Sequence, residues 1–316
     1  MQTKEAVLSS KIEGTQATLD EVFEFEAQMD NKSEEKKKDI NEIVNYRDAL
    51  NFGVDALNSY PLSENLIKKL HGILLKSGRG QNKSPGEFRK IQVFIGRPGA
   101  SIEEATFVPP AANEIVPLFG NLEKYLNSNE EKDKLVQIAI AHYQFEAIHP
   151  FLDGNGRVGR LLIPLFLYER KLLSHPFLYL SEYFEEYRDD YYALLRGVSE
   201  KQDWNSWIKF FLSALTVQAQ KTEVTAIKIL NLHQSLKEKA EDMNSIYANN
   251  LLDTIFSYPI FTTASLKKRT KIKNIQTFFN LINKFLEAGI IKDLTPEKQR
   301  NKVYVFDELM KVLRNR

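Results

Sequence analysis

The chain has 316 residues, 43% of them hydrophobic and 27% charged, with a formal net charge of +1 and no cysteine. That length fits two domains, or one large domain with an appendage, and the composition is that of a soluble globular chain with a sizeable core. The absence of cysteine excludes a disulfide framework, a thiolate metal site and a cysteine nucleophile. Met1 to Lys11 lacks the apolar core of a signal peptide. The longest apolar stretch, Leu161 to Tyr168, falls far short of the roughly 20 residues a membrane span requires. A cytoplasmic protein with no membrane partner is expected. The small net charge conceals an asymmetry: residues 249–316 carry 13 Lys and Arg against 6 Asp and Glu, a net +7, and the rest of the chain is at −6. A basic end on an acidic body points to two units with different partners.

Helical signals dominate in chain order. Leu19 to Met29 and Ile40 to Leu57 carry apolar residues at three-to-four spacing, with the charged run Asn31 to Asp39 expected as a solvated loop between them. Ser63 to Lys76 reads as a helix capped by Ser63, and Ser77 to Gly86 as a glycine-broken loop. Lys90 to Ile95 is the clearest strand candidate; a second extended piece at Ala105 to Val108, ended by Pro109-Pro110, would complete a hairpin around Arg97-Pro98-Gly99. Ala112 to Leu126, Lys132 to Ile148, Val158 to Leu173, Asp189 to Val198 and Trp204 to Leu215 read as helices, followed by a long polar helix from Val217 to about Ala240. A domain boundary is expected near Asp242 to Asn249, giving domains of residues 1–245 and 246–316.

The string HPFLDGNGRVGR, His149 to Arg160, concentrates the chemistry. Asp153-Gly154-Asn155-Gly156 is a loop that should open a helix at Arg157, and glycine-rich backbone at a helix N-terminus makes an anion site. Arg157 and Arg160 stand three apart on one helix face, where guanidinium groups reach phosphate bidentately. A carboxylate inside such a nest calls for a bridging cation, so Asp153 is a natural Mg²⁺ ligand. His149, held before the loop by Pro150, accepts a proton near neutral pH. Anion cradle, metal carboxylate and base together describe attack by a hydroxyl on a nucleotide phosphate. Any one of these pieces alone is most often an ordinary turn or a structural histidine; their order and spacing carry the reading.

This string resembles the signature of the Fic family, H-P-F-x-(D/E)-G-N-(G/K)-R-x-x-R, and matches every fixed position. The resemblance implies a mainly α fold, a Fic-type helical bundle with a small β-hairpin flap, that transfers AMP from ATP to a Ser, Thr or Tyr hydroxyl of a target protein. It implies His149 as catalytic base and Asp153 as the Mg²⁺ ligand. The nucleotide contacts it implies are Gly154, Asn155, Gly156, Arg157, Val158, Gly159 and Arg160, with Arg160 meeting the γ-phosphate. The hairpin from Val93 to Val108, with Thr106, Phe107 and Val108 on its second arm, is similar to the family's flap, which holds the target segment by strand addition. SSKIEG, Ser9 to Gly14, resembles the family's inhibitory motif (S/T)-x-x-x-E-(G/N) through Ser9, Glu13 and Gly14. There the Glu pairs with the second arginine, here Arg160, so that ATP binds unproductively. The family often has a longer segment ahead of this helix, and one is expected in the native protein. The stretch Leu178 to Tyr192 and the Trp204 to Trp207 segment are similar to the part that shapes the adenosine pocket; Tyr191 and Tyr192 are its candidates, with core packing as the alternative reading. His71, His142, His175 and His233 show no metal-ligand spacing and read as structural or surface residues.

Leu251 to Ser257, Thr263 to Thr270 and Asn274 to Ala288 read as three helices, and Ile290 to Leu294 and Lys302 to Phe306 as a two-stranded ribbon joined by Thr295 to Asn301. This order looks like a C-terminal winged helix-turn-helix domain, whose third helix could enter a DNA groove with Lys298 and Arg300 on phosphate. A protein-interaction or dimer module is the alternative, and the resemblance allows a homodimer. Two functional alternatives stay open: a Fic enzyme that transfers another phosphate-linked group or removes AMP, and a DNA-binding regulator that only senses nucleotide.

Overall fold

The computed structural model describes residues 1–29, 33–97, 99–300 and 302–314. Among them the helices are α1 (Gln2–Ile12), α2 (Leu19–Glu26), α3 (Glu34–Leu57), α4 (Glu64–Leu74), α5 (Ile115–Asn127), α6 (Lys134–Ile148), α7 (Asn155–Glu169), α8 (Ser181–Glu186), α9 (Arg188–Lys201), α10 (Trp204–Glu241), α11 (Ala248–Ser257), α12 (Thr263–Arg269), α13 (Ile275–Glu287) and α14 (Asp307–Leu313). The strands are β1 (Ile260–Thr262), β2 (Lys292–Asp293) and β3 (Val303–Val305). The chain divides into two compact units, residues 1–16 with 34–220 and residues 17–33 with 221–316. The sequence reading put the division at 245/246. It falls instead within α10, because no Gly or Pro interrupts Trp204 to Glu241 and the two helices expected there run as one.

In the first unit, α6 and α7 form the centre. α7 is buried on nearly every side from Asn155 to Leu167, so its apolar residues do not segregate to one face. α3 packs against α1, α4 and α7, and α5 against α6. Local caps fix the boundaries: Ser63 Oγ accepts from Leu66 N–H at 3.4 Å before α4, and Asp133 accepts from Leu135 and Val136 N–H before α6. α3 begins six residues earlier than expected, so six of the nine residues of the charged run are helix rather than loop. Its Glu and Lys residues are good helix formers, and Glu34 and Glu35 complement the helix dipole. Asn31 and Lys32 lie outside the described residues, as do Pro98 and Asn301.

The expected hairpin between Lys90 and Val108 is reduced to one pair, Ile95 opposite Phe107. Ile95 N–H donates to Phe107 O at 2.8 Å, and Thr106 N–H donates to Ile95 O at 2.7 Å. The first arm forms no longer strand because the Gln92 side chain bonds across to Pro109 O at 2.9 Å, and Pro109-Pro110 supply no N–H to continue a ladder.

The second unit runs helix, strand, helix, helix, strand, strand, helix. β3 is the central strand of an antiparallel sheet of order β1-β3-β2, with Phe261 opposite Tyr304 and Asp293 opposite Tyr304. β1 and α14 were not anticipated, and β2 is shorter than Ile290 to Leu294. α2 joins this unit through β1: Thr262 Oγ1 donates to Ala27 O at 3.1 Å, Arg269 to Glu26 O at 3.0 Å, and Arg314 pairs with Asp20. Thr262 and Asn274 cap α12 and α13, and Gly289 at φ 68° follows the end of α13.

Candidate active site

Two left-handed residues frame the turn between α6 and α7. His149 ends α6 at φ 48° and ψ 60°, and Gly154 precedes α7 at φ 79°. Between them Asn155 binds the turn to itself. Its Oδ1 accepts from Phe151 N–H at 2.9 Å, and its Nδ2 donates to Phe151 O at 2.8 Å. Helix α7 therefore opens at Asn155 rather than Arg157. Its first regular bond is from Val158 N–H to Gly154 O, which leaves the N–H groups of Asn155, Gly156 and Arg157 without helical partners. That is the anion-binding end of a helix.

Two residues outside the motif complete the turn. His71 Nδ1 accepts from Gly86 N–H at 2.8 Å, which makes Nε2 the donor to Asp153 O at 2.9 Å. The ring stacks on Phe151 at 3.8 Å, and burial pushes its pKa down to about 4. Arg89, also buried, donates to His149 O at 2.9 Å and to Pro110 O at 2.6 Å, and so ties the end of α6 to the base of the hairpin segment. Sequence reasoning assigned His71 only a structural or surface place and did not single out Arg89. Their partners are 82 and 60 positions away, and no local signal reveals them.

His149, Glu13, Gly156, Arg160, Tyr191 and Tyr192 lie on the wall of one cavity of about 680 Å³. Thr106 and Phe107 also line it; Val108 does not and is exposed. Burial pushes His149 down to about 4, against the Glu146 carbonyl and the Glu13 charge, so the ring is neutral at pH 7, the form that accepts a proton. Glu146 was not anticipated. It lines the cavity, burial raises its carboxyl to about 7, and Oε1 lacks a hydrogen-bond partner.

Arg160 is nearly fully buried and meets α1. Its Nη2 donates to Glu13 Oε1 at 2.6 Å and to Ser9 O at 2.9 Å, and its Nε donates to Ser9 Oγ at 2.9 Å. Burial works to raise the Glu13 pKa, but the charge and hydrogen bond of Arg160 outweigh it and hold the carboxyl below its usual range. A side chain at Gly156 would collide here, since a Cβ would stand 2.3 Å from Glu13 Oε1. Gly14 at φ 92° lets the chain leave α1 immediately after Glu13.

The other candidates divide. Arg157 is buried and spans two carboxylates, donating to Asp153 Oδ1 at 3.2 Å and to Glu42 Oε2 at 3.3 Å. Val158 is fully buried in the core, and Gly159 is buried with Glu146 packed against its Cα, leaving 2.2 Å to a Cβ. Tyr191 is a core residue as well as a wall of the cavity. Its hydroxyl bonds His142 Nε2 at 2.9 Å while His142 Nδ1 faces Gly159 O at 3.1 Å, so Nδ1 carries the proton and Tyr191 donates. Tyr192, half exposed beside it, is the better platform for a flat ligand.

The Fic/DOC family pattern matches residues 61–167, and the family's N-terminal pattern matches residues 1–55. The chain is 32% identical over 171 residues to "Protein adenylyltransferase Fic" of Drosophila grimshawi, covering 49% of this chain and 31% of that protein. It is 30% identical over 169 residues to the protein of the same name from Aedes aegypti, covering 50% of this chain and 30% of that one. The match thus spans about a third of those relatives. Among solved structures, a Fic family protein from Desulfovibrio desulfuricans superposes with a TM-score of 0.59 at 23% identity, over 96% of this chain and 86% of that one. A Fic domain containing signaling protein from Bacteroides thetaiotaomicron gives 0.55 at 19%, over 70% and 85%. At these identities the structures speak to the fold. Motif, helical fold and both sequence patterns agree: the chain belongs to the Fic/DOC family.

Proposed function

We propose that this chain is a protein adenylyltransferase, moving AMP from ATP to a Ser, Thr or Tyr hydroxyl of a target protein, and that Glu13 restrains it. The observation that carries the reading is the junction of Arg160, Glu13 and His149 on one cavity wall beside the free N–H groups of α7. His149 would take the proton from the attacking hydroxyl. The α7 N-terminus would hold phosphate oxygens, and Arg160, once released by Glu13, would take the γ-phosphate. Tyr192 would face the base.

The residues present fit a magnesium ion. Asp153 offers one partly exposed carboxylate, and the described residues hold no cluster of three His, Asp or Glu. Mg²⁺ favours that arrangement, taking one or two carboxylates with the rest from phosphate and water. When bound at Asp153, the ion would neutralise charge on the phosphates. An ATP-dependent enzyme of this kind would work in the cytoplasm, where ATP is plentiful.

Labelled ATP tests the reading. With Glu13→Gly, label from the α-phosphate should appear on protein at a rate on the order of tenfold above wild type, the worth of a charge-assisted contact of ~1.4 kcal/mol. Label from the γ-phosphate would indicate phosphorylation instead, and label from neither would leave the nucleotide-sensing alternative. Mass spectrometry of lysate proteins treated with this variant would name the target and acceptor residue, and loss of AMP from a pre-modified target would reveal removal.

For the second unit we propose a winged helix-turn-helix that binds DNA. Lys268 is exposed in the last turn of α12, and Gln276, Asn280 and Asn283 stand on the exposed side of α13, residue types suited to phosphate and adenine. Binding that weakens steeply with salt supports this; none at 50 mM salt ends it. Self-association is the other part of the proposal, supported by exposed Val224, Ile227 and Leu230 along α10. Light scattering that gives a monomer at all concentrations would remove it.

A further inference from the structure

Glu42 lies on α3, far in sequence from the motif, and is almost fully buried. A buried carboxylate persists only with cations and donors around it. Glu42 has five such contacts. Oε2 accepts from Arg157 Nη1 at 3.3 Å, from Thr15 Oγ1 at 3.0 Å and from Arg79 Nη2 at 3.4 Å. Oε1 accepts from Arg79 Nε at 2.9 Å and from the Arg79 backbone N–H at 3.0 Å. Arg79 Nη2 also donates to Thr15 Oγ1 at 2.7 Å, which closes a ring around the carboxylate.

The loop that brings Arg79 here is fitted to α3. Asn45 Nδ2 donates to Leu74 O at 3.2 Å and to Ser77 O at 2.9 Å. Gly78, at φ 89°, lies so close to Glu42 that a Cβ would stand 2.9 Å from its Cγ. Gly80, at φ 83°, lies in the same way against Asp153, 2.9 Å from Oδ2. One short loop therefore packs against both carboxylates that Arg157 spans.

The charges explain the need. Two cations, Arg157 and Arg79, meet at Glu42; Arg157 also reaches Asp153, and Arg79 also pairs with Asp39 at 3.5 Å. With Glu42 present, Arg157 divides its two terminal nitrogens between them. With Gln in place of Glu42, the buried guanidinium would keep Asp153 as its one ion-paired carboxylate among the described residues and would draw that carboxylate down onto itself. We infer that Glu42 is a positioning residue for the adenylyl-transfer site: it supplies the counter-charge of Arg157, keeps Asp153 available to the nucleotide and its cation, and is itself held by Arg79 and by Thr15, the residue that follows the Glu13-Gly14 exit of α1. This rests on the function proposed above. It differs from the Glu13 restraint in sign, since Glu13 opposes transfer and Glu42 promotes it.

The test uses the full chain in the Glu13→Gly background, with and without Glu42→Gln. Calorimetry with a non-hydrolysable ATP analogue is run with Mg²⁺ and with EDTA, alongside transfer of α-phosphate label. The expected result is a Kd for the Mg²⁺-bound analogue about tenfold weaker in Glu42→Gln, with a much smaller change for the metal-free analogue, and partial recovery in Glu42→Asp. A folded Glu42→Gln protein that binds both forms and transfers label like its parent overturns the inference. So does equal weakening of both forms, the mark of a merely structural role. If Glu42→Gln does not fold, Arg79→Ala takes its place. That side chain is half exposed, and its loss removes two of the five hydrogen bonds to Glu42 and the one to Thr15; the same metal-selective weakening should follow in smaller measure, and its absence overturns the inference. A Glu13→Gly parent that binds nucleotide but transfers no α-label defeats the adenylyl-transfer reading, and calorimetry still decides the role of Glu42.

Discussion

The turn from His149 to Gly156 and the segment from Lys90 to Pro110 face the same cavity and are built in opposite ways. In the turn, side chains hold backbone: Asn155 holds Phe151 twice, His71 holds Asp153 O, Arg89 holds His149 O, and two left-handed residues mark its ends. In the segment, one β-bridge and the Gln92 side chain on Pro109 O join the arms among the described residues, and Ile91, Phe94 and Ile95 are exposed. On the proposed function, the region that would orient a phosphate and a base is over-determined. The region that would receive another chain keeps its edge open. Four variants break or sharpen this contrast.

The largest effect belongs to His149. In the Glu13→Gly background, His149→Ala should lower transfer of α-label by about 10²–10⁴-fold, the usual worth of a positioned general base, with little change in nucleotide affinity. A variant within threefold of its parent would remove His149 from the chemistry. Asn155→Ala comes next. It strands a buried N–H and a buried carbonyl at Phe151, at a cost of about 1–3 kcal/mol each, and should lower Tm by about 5–10 °C. If the melting point holds, the turn is not organised by its asparagine.

His71 gives a smaller, pH-dependent effect. Its pKa falls from 6.5 to about 4 on folding, so the folded protein favours the neutral ring. A depressed value means that its contribution is complete above pH 6.5 and is lost as pH falls through about 4. At about 1.4 kcal/mol per unit the ceiling is near ~3 kcal/mol, and relaxation around the turn brings it closer to ~2. The stability gap between wild type and His71→Ala, measured by urea unfolding, should therefore be widest at pH 7 and narrow steadily towards pH 4.5. A gap that does not change with pH would mean that the ring contributes packing alone.

These residues also show how much could be read beforehand. The glycines of the turn, the two arginines and the pairing of Glu13 with Arg160 were legible because they lie in short strings whose spacing carries meaning. The helical class was legible from periodicity, and most helices fell within a few residues of their expected limits. Glu42, His71 and Arg89 were not legible. Their partners Arg157, Asp153 and His149 lie 115, 82 and 60 positions away, and an isolated Glu, His or Arg on a helix or loop has no signature until the fold brings it in. The hairpin was over-read for a related reason. Alternating apolar residues from Lys90 to Ile95 predict a strand only where a partner offers a ladder, and Gln92 with Pro109 and Pro110 withdraws it.

The smallest effect on the protein itself falls on that open segment. Ile95→Pro removes the N–H that donates to Phe107 O and the one ladder pair with it. Because Ile95 is exposed and few contacts depend on it, stability should change by only about 0.5 kcal/mol. ATP-analogue affinity should be unchanged, since the α7 N-terminus and Arg160 are untouched. If the segment receives the target by strand addition, KM for the target protein should rise about tenfold while kcat stays level, the pattern of lost uniform binding. Thr106→Ala is the control, since it keeps the backbone N–H and O and should leave KM within twofold. Should Ile95→Pro lower kcat and leave the target KM alone, the segment belongs to the rigid chemistry of the turn, and the division between the two regions fails.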